Sequence, residues 1–246
     1  MSKMYAIAMA VVADAIRRKV VWVVLVFAVF LGLSIPALPS FGVGVAASLF
    51  REVAIALTYA AALVVGLALA ATRIPSEVER RTVFNVISRD VRRWHYIAGT
   101  WAGMFMVMGG VILACSVATI VIGYVMMPGG ELMWRLLEGA FAIWLEIGVI
   151  MAFAVMLSSL FGPITSVVGA LGLTFIGHAV ITLLGLPEGE HVPWYFPSLD
   201  VFNVVNPVAL GSGYGPLYAL SMVIAFSAWV LLFLLGASLL FRTRDL

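Results

Sequence analysis

The sequence predicts an all-α polytopic membrane protein with six transmembrane helices and both termini cytoplasmic. Three observations carry that expectation. The 246 residues are 64% hydrophobic and only 11% charged, too few polar groups to clothe a soluble surface, so lipid is the solvent. Six runs reach the about 20 apolar residues that a spanning helix needs, namely 20–38, 53–71, 97–125, 139–160, 164–184 and 217–241. The basic residues are one-sided. Lys3, Arg17, Arg18 and Lys19 precede the first run, six Arg lie between Arg73 and Arg93, and Arg242 and Arg244 follow the last, which leaves Arg51 and Arg135 on the other face. The positive-inside rule then puts both ends and the Arg73–Arg93 segment in the cytoplasm, with the protein in the inner or plasma membrane.

Residues 1–19 read as a cytoplasmic lead-in helix, with Ile7, Val11, Val12 and Ile16 among Asp14 and Arg17. Such a helix either lies on the membrane surface or extends the first span into water. The run 20–38 is too long, and lacks a small-x-small site after it, to be read as a cleaved signal peptide.

The segment 72–95 is the chain's charged island. Pro75 precedes Ser76, and Ser76 with Glu79 has the spacing of a capping box. The expectation is a new short helix from about Ser76 to Ile87, with Val83, Val86 and Ile87 on one side. Either it only restrains the flanking spans, or it docks a soluble partner. Gly99 and Gly103 then open the third span with small-residue spacing, a candidate helix-packing face. Gly109-Gly110 offers that long span a place to bend. Met104, Met106 and Met108 do not form a copper ladder, because residues two apart on a helix point about 200° apart. Cys115 is the only cysteine and reads as a small hydrophobe.

Two ionisable residues interrupt the apolar runs. Glu146 is near the middle of the fourth span and His178 in the outer half of the fifth. A charge at mid-bilayer costs roughly 2.5–3.5 kcal/mol on insertion scales, so Glu146 is protonated, paired or beside a wet cavity. Phe161-Gly162-Pro163 joins these spans as a tight antiparallel hairpin, which lets the two side chains meet in depth. A proton or cation path and a plain interhelical hydrogen bond both fit. The extracytoplasmic segment 185–216, with five Pro and five aromatics, is no single helix and is a lid, a re-entrant cap or interfacial packing.

Other chemistry is missing. The only lysines, Lys3 and Lys19, follow no glycine-rich loop, so the chain has no P-loop of its own. No nucleophile–base pair and no metal-ligand cluster is visible, His95 and His191 stand alone, and no catalytic or metal site is expected. A net charge of +2 and basic residues placed by topology give no nucleic-acid stripe.

The run Ile74-Pro75-Ser76-Glu77-Val78-Glu79-Arg80-Arg81-Thr82-Val83, then Asp90-Val91-Arg92-Arg93 and Gly99-x-x-x-Gly103, resembles the segment between spans two and three of ABC-2 type transporter permeases. The branch it is most similar to is that of the copper-enzyme maturation permeases. Asp90 stands where family members commonly have Pro. The resemblance implies a permease subunit, most often of an exporter, that pairs with a second copy or a related paralogue in the lipid membrane. Each copy then sits on a separate ATPase subunit, which binds the ATP and Mg that this chain does not. It also implies that the 76–87 helix is the coupling helix, with Ser76, Glu77, Glu79, Arg80, Arg81 and Thr82 as its contact and fixing residues. The alternative is a stand-alone ion-coupled carrier or channel using Glu146 and His178, and a third is a non-transporting assembly subunit. The cargo is not legible, since a wall of Leu, Val, Ala, Met and Phe suits lipids, hydrophobic peptides and drugs alike.

The topology is directly testable. With Cys115 replaced by Ala, single cysteines introduced as Asn85→Cys and Gly189→Cys should react with an impermeant maleimide from opposite sides of the membrane; labelling from one side only rejects the arrangement.

Overall fold

A computed structural model describes residues 3–17, 26–27, 30, 43–79, 93–126, 130–183 and 198–240. Among them every regular element is helical. In chain order they are α1 (Lys3–Arg17), α2 (Val43–Glu79), α3 (Arg93–Met126), a 3-10 turn (Gly130–Arg135), α4 (Leu136–Ser158), α5 (Pro163–Leu183), a second 3-10 turn (Asp200–Phe202), the short α6 (Val205–Ala209) and α7 (Pro216–Leu240). Four helical stretches, Val45–Arg73, Trp94–Val125, Met133–Ser158 and Pro216–Leu240, are long and apolar enough to cross a membrane. The chain is a membrane-embedded helical protein. Of the run 20–38, only Val26, Phe27 and Phe30 are described, and Phe27 is buried in the core.

The architecture is a bundle around α4. This helix is apolar on all sides, which marks a helix with no water-facing stripe, and it packs against α2, α3, α5 and α7. Its residues Ala142, Val149, Met151, Ala152, Ala154 and Val155 are fully buried. Small residues let the neighbours come close. A Cβ at Gly148 would lie 2.6 Å from Phe105 and 2.7 Å from Phe226, so the rings of α3 and α7 rest on α4 backbone. Trp101, Phe105, Trp144 and Phe226 form a continuous aromatic stack there, with 4.3 Å between the Phe105 and Trp144 centroids. The Trp101 indole donates to the Gly148 carbonyl at 3.1 Å and Trp144 to the Phe105 carbonyl at 2.9 Å. In hydrocarbon, polar groups not paired inside the protein go unsatisfied.

The Gly99/Gly103 face is occupied by α1. A Cβ at Gly99 would meet the Met4 carbonyl at 3.0 Å, and one at Gly103 would meet the Ala8 carbonyl and Val11 at 2.7 Å. Four residues forward on one helix match about four on the other, so α1 and the start of α3 run the same way over this contact. At its far end Asp14 pairs with Arg73 of α2 at 2.5 Å. The N-terminal helix thus touches both helices that flank residues 80–92, which lie outside the described residues.

Two expectations are corrected. The 76–87 helix does not begin at a Ser76 cap: α2 runs unbroken through Pro75 to Glu79, so Ser76 is an interior helix position. Proline removes one donor and crowds the carbonyl of residue 71. Here the preceding turn is already fixed by packing, with Ala70 and Ala71 wholly buried and Pro75 buried behind them. The second span also begins earlier than expected. α2 starts at Val43, ahead of the expected 53, and Arg51 is buried at 5% exposure with its Nε donating to the Ala209 carbonyl at 2.8 Å. A charge satisfied by a carbonyl inside the protein does not have to end a helix.

Met104 and Met108 are both fully buried while Met106 is exposed, as helical spacing requires of a packing face. Gly109-Gly110 lies inside an uninterrupted α3, with Gly109 against the Trp144 indole.

The seat of α1 gives a matched pair of variants. Gly103→Val should destabilise the protein by about 1–3 kcal/mol through overpacking, read as a lower thermal midpoint in detergent and faster proteolysis within residues 3–17. Gly110→Ala, where nothing lies within 4 Å of the added Cβ, should leave both readings unchanged.

Candidate functional site

Polar side chains from two neighbouring helices converge on Glu146. α4 places this carboxyl at 3% exposure among apolar neighbours. Two polar groups reach the same oxygen. Tyr59 of α2 donates its hydroxyl to Oε1 at 2.8 Å, and His178 Nε2 of α5 lies 2.8 Å from it. Tyr59 Oη and His178 Nε2 are 3.3 Å apart, so the three atoms form a closed triangle. The other imidazole nitrogen, Nδ1, faces Asp200 Oδ1 at 3.6 Å, an ionic contact beyond hydrogen-bond reach.

Each member is held by its own element. The α4–α5 hairpin turns through Ser159–Gly162, and α5 opens on Pro163, the first-turn position where a missing N–H costs nothing. The Ser166 amide and hydroxyl both donate to the Gly162 carbonyl. That geometry sets α5 antiparallel to α4, so Glu146, ten residues into one helix, meets His178, near the end of the other. Asp200 arrives from a different direction. The Leu199 amide donates to the Gly177 carbonyl at 3.0 Å, and Leu199, Phe202, Val204 and Val208 are buried. The segment 198–209 therefore folds back into the bundle end as a cap, and Asp200 is carried in beside the imidazole.

The cap is fastened on its far side. Arg135 pairs with Glu138 at 2.6 Å and lies over the Trp134 ring, and the Tyr214 hydroxyl donates to the Glu138 carbonyl at 2.9 Å. Burial first, then the Glu138 and Tyr218 charges, push the Tyr214 hydroxyl up to about 12, so it remains a neutral donor. Gly213 crosses this point at φ +64°, and a side chain there would collide with Arg135 and Glu138.

Beside Tyr59 and His178 the bundle opens sideways into a pocket of about 660 Å³, lined also by Leu171, Thr174, Phe175 and Ala179. The chemistry available there is proton sharing between a carboxyl and an imidazole, with a tyrosine hydroxyl fixing the carboxyl. The groups form a line rather than a cage, and among the described residues no three His, Cys, Asp or Glu converge to hold a metal.

The residues expected to contact an ATPase are placed only in part. Ser76, Glu77 and Glu79 occupy the last turn of α2, whereas Arg80, Arg81 and Thr82 lie outside the described residues. Gly99 and Gly103 are brought against α1. Tyr59 and Asp200 were not anticipated. A hydroxyl inside the run 53–71 is a usable signal, because a buried tyrosine O–H finds a partner; nothing in a Pro-rich segment tells that Asp200 turns inward.

Compared with known proteins, the chain matches no family model and no curated protein.

Truncating the centre should be costly. His178→Ala leaves a buried carboxyl without its partner and should destabilise by about 3–5 kcal/mol, whereas Tyr59→Phe, losing one hydrogen bond, should cost about 1 kcal/mol. Thermal midpoints of the purified variants in one detergent check the order, and equal losses would reject it.

Proposed function

We propose that this chain is the membrane-spanning permease subunit of an ATP-driven transporter of the ABC-2 type, acting as an exporter with a second permease copy and with a separate ATPase under each. Six spans with both termini cytoplasmic belong to this reading. The observation that carries it is the acidic–basic run Ile74–Val83 joined to Asp90–Arg93 and to Gly99-x-x-x-Gly103. The geometry around that run supports it. α2 continues as one rigid rod from the apolar zone to Glu79, α3 restarts at Arg93, and α1 touches both through Asp14–Arg73 and the Gly99/Gly103 seat.

A force applied at residues 76–79 would then move α2 as a unit. Helices of 37 and 34 residues are about 55 and 51 Å long at 1.5 Å per residue, well beyond the hydrocarbon thickness of ~30 Å. Their ends extend into water where a soluble ATPase can press on them. ATP-driven closure of two ATPases would tilt these rods against α4. The ATP and Mg belong to that partner, since this chain has no P-loop lysine.

A stand-alone carrier driven by an ion gradient is the competing reading, favoured by the Glu146–His178 contact. One pair of measurements separates the two. This reading expects a P-loop ATPase encoded by a neighbouring gene, and the chain co-expressed with that ATPase should co-purify with it and stimulate its hydrolysis. Glu77→Lys with Glu79→Lys should abolish the stimulation while leaving the amount in the membrane unchanged. Full stimulation by the double variant, or solute flux by the chain alone under an imposed proton or sodium gradient, rejects the permease reading.

A further inference from the structure

The row Asp200–His178–Glu146 has a charge count that depends on one proton. With both carboxylates ionised and the imidazole neutral the three groups carry −2, with the imidazole protonated −1, and with one carboxyl protonated as well they are neutral. An unpaired charge at mid-bilayer costs several kcal/mol, and no Lys or Arg among the described residues pairs with any of the three. Among the described residues, the remaining titratable groups facing the row are Tyr59, hydrogen-bonded to Glu146, and Tyr218 of α7, beside Asp200 with its hydroxyl donated to the Val201 carbonyl. The step from −1 to neutral is the uptake of a single proton.

The row also has a direction. Asp200 and His178 side chains are 27% and 32% exposed and Glu146 is 4% exposed. The imidazole stands between them with one nitrogen toward each carboxyl. We propose that Glu146 is a proton-binding site inside the membrane, loaded from the Arg135 end of the bundle through His178, with the Asp200 carboxylate beside its outer nitrogen. A solvent proton, drawn in by that carboxylate, bonds to Nδ1; the Nε2–H bond breaks and its proton bonds to Glu146 Oε1, 2.8 Å away. The imidazole is left neutral with its proton on Nδ1, and reversal of the same two transfers empties the site. Tyr59 is a positioning residue: its hydroxyl holds Oε1 in line with Nε2. The assignment stands on this geometry alone and is independent of any ATPase.

Infrared difference spectroscopy of the purified full chain in detergent, recorded over a pH series, tests it. A protonated-carboxyl C=O band should titrate in the unaltered protein and vanish in Glu146→Gln. His178→Gln should move the midpoint of that band by roughly 1–3 pH units, the effect of losing the Nε2 contact to the carboxyl, and Asp200→Asn should slow its exchange into deuterium oxide. Should Glu146→Gln not fold, Glu146→Asp keeps an acid and must displace the band. Persistence of the band in Glu146→Gln, an unmoved band in Glu146→Asp, or a midpoint indifferent to His178→Gln overturns the proposal. So does a band that responds to sodium concentration at constant pH, which would make the occupant a metal cation.

Discussion

A carboxyl group on the most enclosed helix of a lipid-soluble bundle has no water to fall back on, and the arrangement of α2, α4 and α5 follows from that. Glu146 must be neutral or answered by donors brought from other helices. The structure answers it with two, Tyr59 and His178, on one oxygen. Each donor fixes the rotation of its helix about its own axis, because a turn of α2 or α5 by one residue would carry the hydroxyl or the ring away from Oε1. Lipid gives no hydrophobic drive for one apolar face over another, since neighbouring acyl chains are as apolar as Leu. The polar triangle therefore joins close glycine contacts, Gly66 against Ile147 and Gly169 against Leu157, in setting the register.

The two ends of the bundle are finished by different means. At one end, backbone contacts dominate: α1 lies against bare glycine positions of α3, and the Asp14–Arg73 pair, about a third exposed on the acid side, adds at most ~1 kcal/mol as a surface bridge. At the other end, buried side chains reach carbonyls across long stretches of sequence, Arg51 to Ala209 and Tyr214 to Glu138. The first kind of joint slides or releases as a unit, whereas the second locks particular atoms. Between them α4, with its tryptophan and phenylalanine stack, is the stiff axis.

Much of this was readable in advance, for reasons that can be named. An ionisable residue inside an apolar run is conspicuous, and a three-residue hairpin with proline forces its neighbours antiparallel, so the meeting of Glu146 and His178 follows from local signals. The alternation of buried Met104 and Met108 with exposed Met106 follows from helical pitch. What failed were inferences that treated a local signal as final. Pro75 with a capping-box spacing reads as a helix start, yet a turn packed as tightly as Ala70–Ala71 carries the helix through it. Arg51 falls ahead of the run 53–71, yet α2 begins at Val43 and a carbonyl 158 positions away in sequence shelters the guanidinium. Asp200 and the partner of the Gly99/Gly103 face were hidden for the same reason: both depend on which distant segment folds back, and spacing holds no record of that.

The joint between α1 and α3 has a consequence for assembly. The seat for residues Met4–Val11 is made of backbone near position 103, so during synthesis the first helix emerges long before its binding surface exists. Until about a hundred residues have been added it has only lipid headgroups to rest on, and an amphipathic stretch suits that interim address. Closure of α1 onto α3 is thus a late event, possible only after α2 has been made.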